Sequence, residues 1–110
     1  MDVHPGDKNV CRKIVQLAEG IENETPVHTA LLLYKARALR WLRFLDAARE
    51  TLTGALRRKK DRSEELLRAL RYELALVYED LGEPRQARIE LEKLYAEDPD
   101  YEDVAARLGL

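Results

Sequence analysis

The sequence predicts an all-α fold, and three observations carry that expectation. Gly and Pro together number only nine of 110 residues and aromatic residues 6%, while 45% hydrophobic and 36% charged residues suit amphipathic helices. Apolar residues recur at steps of three and four rather than two. A 39-residue register lays small residues on small and large on large: Ala36 on Ala75, Leu39 on Tyr78, Leu42 on Leu81, Ala48 on Ala87, Leu52 on Leu91 and Ala55 on Leu94. A chain of this length holds one domain, 1–110.

Taken in order, Asp7 caps a first helix over 7–22, with Val10, Ile14, Leu17, Ala18 and Ile21 on its buried face. Thr25 followed by Pro26 is an N-cap and first-turn pair, because proline's fixed φ suits that position and its missing N–H had no helical partner there. The second helix reaches Leu42. Phe44 and Leu45 mark a tight turn into a third helix, Asp46 to about Arg58, with Ala48, Leu52, Ala55 and Leu56 on one stripe. The run Arg57 to Ser63 is too charged for core, and either Asp61 with Glu64 or Ser63 alone caps the fourth helix.

From Glu64 to Leu81 apolar residues appear on almost every side, so the fourth helix should pack between neighbours. Gly82 ends it and Pro84 opens a fifth helix, with Ala87, Leu91, Leu94 and Tyr95 inward. Asp98 and Pro99 repeat the cap-and-proline device and predict a last helix over 99–108, with Tyr101, Val104, Ala105 and Leu108 on one face.

Little in the chain points to chemistry. A single cysteine excludes an internal disulfide and a multi-cysteine zinc site, and two histidines leave little for a metal. There is no Gly-rich phosphate loop and no paired-histidine metal motif. Cys11 has helical spacing to Ile14, Leu17 and Ala18 and reads as a small packing residue; His4 sits in an unanchored start; His28 falls in a first helical turn, facing solvent. Glu79 and Asp80 are adjacent, about 100° apart on a helix, so they cannot share a proton or a water. No catalytic, cofactor-binding or metal-binding residue is assigned.

The second copy of the repeat, Arg68 to Tyr101, resembles a tetratricopeptide repeat. It has the 34-residue length and carries Leu74-Ala75, Tyr78, Leu81-Gly82, Ala87, Leu91 and Pro99 in the family's order. The first copy, Thr29 to Arg62, keeps Ala36, Leu39, Leu45, Ala48, Leu52 and Ala55, with Arg43 where the family usually has Gly and Lys60 where it has Pro. The excess of 39 over 34 falls in the basic loop before Glu64. The closing stretch Leu94 to Ala105 resembles the end of many bacterial repeat modules.

The resemblance implies a right-handed α-α superhelix of two helical hairpins (26–62 and 64–98), with the 7–22 helix and the 99–108 helix as caps. It also implies a concave groove holding a peptide or partner domain, lined by Leu33, Arg37, Arg40 and Trp41 from one copy and Tyr72, Leu76, Glu79 and Asp80 from the other. Aromatic anchors among apolar neighbours with charges at the edge have the composition of a recognition surface. Alternatively, Leu33 and Trp41 pack against the first helix, which then fills the groove. The cationic and amide clamp that grips acidic chaperone tails in one subgroup is not matched, since Leu33, Arg37, Tyr72, Glu73 and Leu76 stand there.

Charge is separated along the chain. Lys35 to Arg62 carries ten Lys and Arg against three acids, and Glu64 to Asp103 five against thirteen. Such halves steer a charged partner or join copies of the chain, so a homodimer through repeat ends or charged faces is the competing expectation. The basic run Arg57, Arg58, Lys59, Lys60 and Arg62 lacks interleaved aromatics, which argues against nucleic acid. With no signal-like start and no apolar run of membrane-spanning length, the expectation is a cytoplasmic protein without a membrane partner.

Overall fold

The computed structural model describes residues 7–110, which form six helices and no strand. These are α1 (Lys8–Leu17), α2 (Pro26–Trp41), α3 (Leu45–Leu56), α4 (Glu64–Asp80), α5 (Pro84–Glu97) and α6 (Val104–Arg107). Each packs on its successor, and α2 also packs on α4. Helix α4 is therefore held by α2, α3 and α5, as its many-sided apolar pattern predicts.

The starts follow the expected chemistry. Asp7 accepts the Val10 N–H at 3.1 Å, Thr25 accepts that of His28 at 3.1 Å with Pro26 beside it, and Ser63, not Asp61, accepts that of Leu66 at 3.1 Å. The turns between paired helices use the backbone instead. Phe44 N–H donates to Leu39 C=O at 2.9 Å and Arg43 N–H to Arg40 C=O at 2.9 Å. Thirty-nine residues on, Glu83 N–H donates to Tyr78 C=O at 2.9 Å and Gly82 N–H to Glu79 C=O at 3.0 Å. Both turns place one residue in the left-handed region, Arg43 at φ 67° and Gly82 at φ 74°. The two turns, 39 residues apart, thus share one backbone hydrogen-bond pattern.

Burial follows the same register. Ala36, Ala48, Leu52 and Ala55 are buried in the first copy, and Ala75, Ala87, Leu91 and Leu94 in the second. The core has two parts meeting at α4. One joins Leu32, Leu33, Ala36 and Leu39 of α2 with Ala48, Leu52 and Ala55 of α3 and Leu70, Leu74 and Val77 of α4. The other joins Ala75 of α4 with Leu91 and Leu94 of α5 and Val104 of α6.

Both terminal helices are shorter than predicted. α1 stops at Leu17 because Ala18 caps it and Gly20 turns left-handed at φ 80°. Its buried face keeps Ala18 of the predicted stripe and adds Cys11; Ile14 and Ile21 are half-buried, and Val10 and Leu17 are exposed. Among the helices α1 leans on α2 alone, so it buries only a narrow strip. At the other end, Asp98 does not start a helix at Pro99. Its carboxylate accepts the Asp100 N–H at 3.1 Å, its carbonyl accepts the Tyr101 N–H, and Glu102 sits at φ 43°, so helical geometry begins only at Val104.

Candidate interaction surface

Residues predicted to line one groove fall into three different environments. Leu33 does not line a surface: it is buried in the α2–α3–α4 core, one turn from Ala36. The helical period places it on the face that meets α3 and α4, and the repeat register alone did not separate that face from its neighbour.

Arg37, Arg40 and Asp80 meet across α2 and α4. Arg37 Nε donates to Glu73 at 3.3 Å and Arg40 Nε donates to the other oxygen of the same carboxylate at 2.5 Å. Arg40 Nη1 reaches Asp80 at 3.4 Å, and Arg43 Nη1 reaches it at 3.0 Å. Glu73 has a side chain only 5% exposed, and it is buried because two guanidiniums face it. The opposed charges of the two halves are therefore joined inside one molecule. Glu73 is the residue that sequence reasoning missed as an organiser; a lone acid between Leu70 and Val77, on a helix with apolar residues on almost every side, was the signal.

Trp41 and Leu76 remain partly exposed on this face. Trp41 stands one turn beyond Arg37, and Leu76 lies between Glu73 and Asp80 on one helical stripe. Arg37 keeps a third of its side chain in solvent, and its guanidinium lies 5.7 Å from the Tyr34 ring centre. Because only Nε is committed to Glu73, its two terminal nitrogens point donors elsewhere. Helix α1 has no packing contact with α4, so it does not cover this face.

Tyr72 and Glu79 belong to a third setting, under the C-terminal segment. Tyr72 donates its hydroxyl to Asp103, packs edge-on against Tyr101 with ring centres 5.9 Å apart, and lies under the Arg107 guanidinium. Arg107 donates to Asp103 at 3.0 Å and also to Glu79. The Tyr72 hydroxyl, followed by Arg107, holds the Asp103 carboxyl below the ordinary aspartate range against its partial burial, while burial and then Asp103 push the Tyr72 phenol up. Glu79 and Asp80, adjacent in sequence, thus serve opposite neighbours: α6 on one side and α2 on the other.

The basic loop is also partly structural. Arg62 donates through Nε to the Thr29 hydroxyl at 2.8 Å, through Nη2 to Asn23 C=O at 3.1 Å and through Nη1 to Lys60 C=O at 2.9 Å. Asn23 in turn donates to Ala55 C=O at 3.0 Å. Thr29 is fully buried, and Arg62 gives its hydroxyl oxygen a charged donor. Arg57, Arg58, Lys59 and Lys60 are exposed.

Of the residues weighed for chemistry, Cys11 is buried, and burial, followed by the Asp7 carboxylate, raises its thiol pKa. His28 does not face open solvent: it is half-buried, with Nδ1 2.9 Å from Glu22 C=O and 3.4 Å from the Glu24 backbone nitrogen, against the turn before α2. His4 lies outside the described residues. Among the described residues no three His, Cys, Asp or Glu side chains converge on a point where a metal ion would sit, and no described helix is long and apolar enough to cross a membrane.

No protein-family model matches the chain, and neither a curated protein nor a solved structure matches it.

Proposed function

We propose that the chain is a two-repeat, tetratricopeptide-like module, a right-handed stack of helical hairpins with α1 and α6 as its end helices. Its function is non-catalytic: it binds a peptide or a partner domain on the α2–α4 face. The observation that carries the reading is the pair of identical turns, Leu39–Phe44 and Tyr78–Glu83, spaced 39 residues apart and flanked by buried alanines. Stacked helix pairs of this kind bury a continuous core and present one side of their first helices.

On that side, Trp41 and Leu76 supply apolar anchors, and Arg37 supplies free guanidinium donors to an acidic or carbonyl-rich ligand. Arg40 and Asp80 hold α2 and α4 at a fixed separation through Glu73 and Arg43. Tyr72 and Glu79 act in fixing the C-terminal segment, so they are not offered as ligand contacts. The test is partner affinity with Trp41→Ala and Arg37→Ala. Loss of a true anchor weakens binding by about 2 kcal/mol, some thirtyfold. Unchanged affinity in both variants, with the helical spectrum retained, refutes the assignment.

The competing reading, self-association through repeat ends or charged faces, predicts a mass that rises with concentration and falls with salt. The consumption of Arg40, Arg43, Glu73 and Asp80 in internal pairs favours the first reading.

A further inference from the structure

We propose that the connection between α3 and α4 is a proteolytic processing site: an endopeptidase that reads paired basic residues hydrolyses the Arg58–Lys59 bond, and the two pieces stay together as a nicked module. This site is independent of binding on the α2–α4 face. Arg57, Arg58, Lys59 and Lys60 are consecutive and all exposed, and Arg58 and Lys59 belong to neither helix nor turn. An endopeptidase takes its substrate as an extended strand, so exposed irregular segments are cut and helices are spared until they open. The chain carries its own comparison. Arg12–Lys13, the other place where basic residues adjoin, is also exposed but lies inside α1.

Hydrogen bonds select the bond within the segment. On the α3 side, Arg57 N–H reaches Gly54 C=O at 3.3 Å and Arg58 N–H reaches Ala55 C=O at 3.4 Å, long contacts at a helix end that frays readily. On the α4 side, Arg62 N–H donates to Lys59 C=O at 3.2 Å and Arg62 Nη1 to Lys60 C=O at 2.9 Å, with the same guanidinium anchored on Thr29 and Asn23 C=O. The carbonyls of Lys59 and Lys60 are therefore taken. The Arg58 carbonyl, between the two sets of bonds, is the one presented to an oxyanion hole. Arg58 then fills a specificity pocket that carries a carboxylate, and Arg57 the pocket before it. Selection rests on these two side chains and not on a net field, since Glu24 and Asp61 line the same recess. Water is the only co-reactant: the C–N bond breaks, the Arg58 carbonyl carbon gains the hydroxyl and the Lys59 nitrogen gains the proton.

The cut leaves α1 to α3 on one piece and α4 to α6 on the other. They remain joined because α4 packs on both α2 and α3, with Leu52 of one piece in the same cluster as Leu70, Leu74 and Val77 of the other. Arg62 stays with α4 and still donates across the cut to Thr29 and Asn23. A nicked module is a two-piece complex, so its stability depends on concentration as that of the intact chain does not.

The test treats the full chain with a subtilisin-like endopeptidase specific for paired basic residues and follows the products by mass spectrometry and size exclusion. The expected first products end at Arg58 and begin at Lys59. They should co-elute at the volume of the intact chain, keep its helical spectrum, and melt at a temperature that falls on dilution. Arg58→Gln, at an exposed position outside the core, should slow the first cut at least about tenfold with Tm unchanged. A first cut at Arg12–Lys13 or at any other bond, no cut, a rate that Arg58→Gln leaves unaltered, or pieces that separate on the column each overturns the proposal. Because Trp41→Ala tests the α2–α4 face and Arg58→Gln this site, the two readings fail separately.

Discussion

Replacing Arg43 by glycine should stabilise the protein, although it removes an ion pair. Arg43 occupies φ 67°, where an L-residue's Cβ crowds the following carbonyl at a cost of about 1–2 kcal/mol. The corresponding position in the second hairpin is Gly82, at φ 74° with the same hydrogen bonds. Against the relief stand two losses. The Arg43–Asp80 contact spans 3.0 Å, but the arginine side chain is 62% exposed, so the pair contributes at most about 0.5 kcal/mol, and Asp80 keeps Arg40. Glycine also widens the unfolded ensemble. The net gain is about 0.5–1 kcal/mol, or roughly 4 °C in Tm. Arg43→Ala separates the terms, because it loses the ion pair and keeps the backbone cost; it should fall below wild type while Arg43→Gly rises above it. Gly82→Ala is the mirror experiment: an added Cβ there meets no atom within 4 Å, so its cost of about 1 kcal/mol is conformational alone. Urea unfolding followed by helical circular dichroism reads all three, with the slope against urea unchanged. A glycine variant no more stable than the alanine variant refutes the reasoning.

Arg62→Ala should cost about 2 kcal/mol by removing the charged donor to the buried Thr29 hydroxyl oxygen and to Asn23 C=O, whereas Lys60→Ala stays within about 0.5 kcal/mol; equal effects in thermal melts would show that Arg62 is only a loop cation. Asp103, its folded pKa lowered, contributes stability above the ordinary aspartate range near pH 4 and loses it as pH falls through the lowered value. Tyr72→Phe removes the principal cause, so the carboxyl NMR titration of Asp103 should move up and acid unfolding begin at higher pH; an unmoved titration counts against the contact. Cys11 should react with a disulfide reagent only when α1 opens, more slowly than a free thiol yet faster than global unfolding, because α1 leans on α2 alone; a rate equal to that of a free thiol would contradict its burial.

The helical content and its punctuation were legible because caps and prolines are local signals. Thr25, Pro26, Ser63 and Pro84 act where their chemistry puts them. Less legible was which face of each helix meets which neighbour. The stripe assigned to α1 is buried at Ala18 but exposed at Val10 and Leu17, because the apolar residues there outnumber the surface available to cover them. Asp98–Pro99 resembles a helix start, yet the Asp98 carboxylate is taken by a turn N–H two residues on. The groove dissolved into three settings for a similar reason. Side chains as long as Arg37, Arg40 and Arg107 choose partners thirty residues away, and no periodicity within one helix reports that choice.

The order of packing also sets an order of assembly. Nearly every helix lies against the one next to it in the chain, and the most distant pairing of elements is α2 with α4. Loops that close over so few residues cost little entropy, so the chain should fold quickly for its size. The nucleus belongs in α2, α3 and α4, where the larger cluster gathers Leu52, Leu70, Leu74 and Val77. Helix α1 and the α5–α6 segment then dock on opposite flanks of a body already formed, each free to detach without unravelling the other.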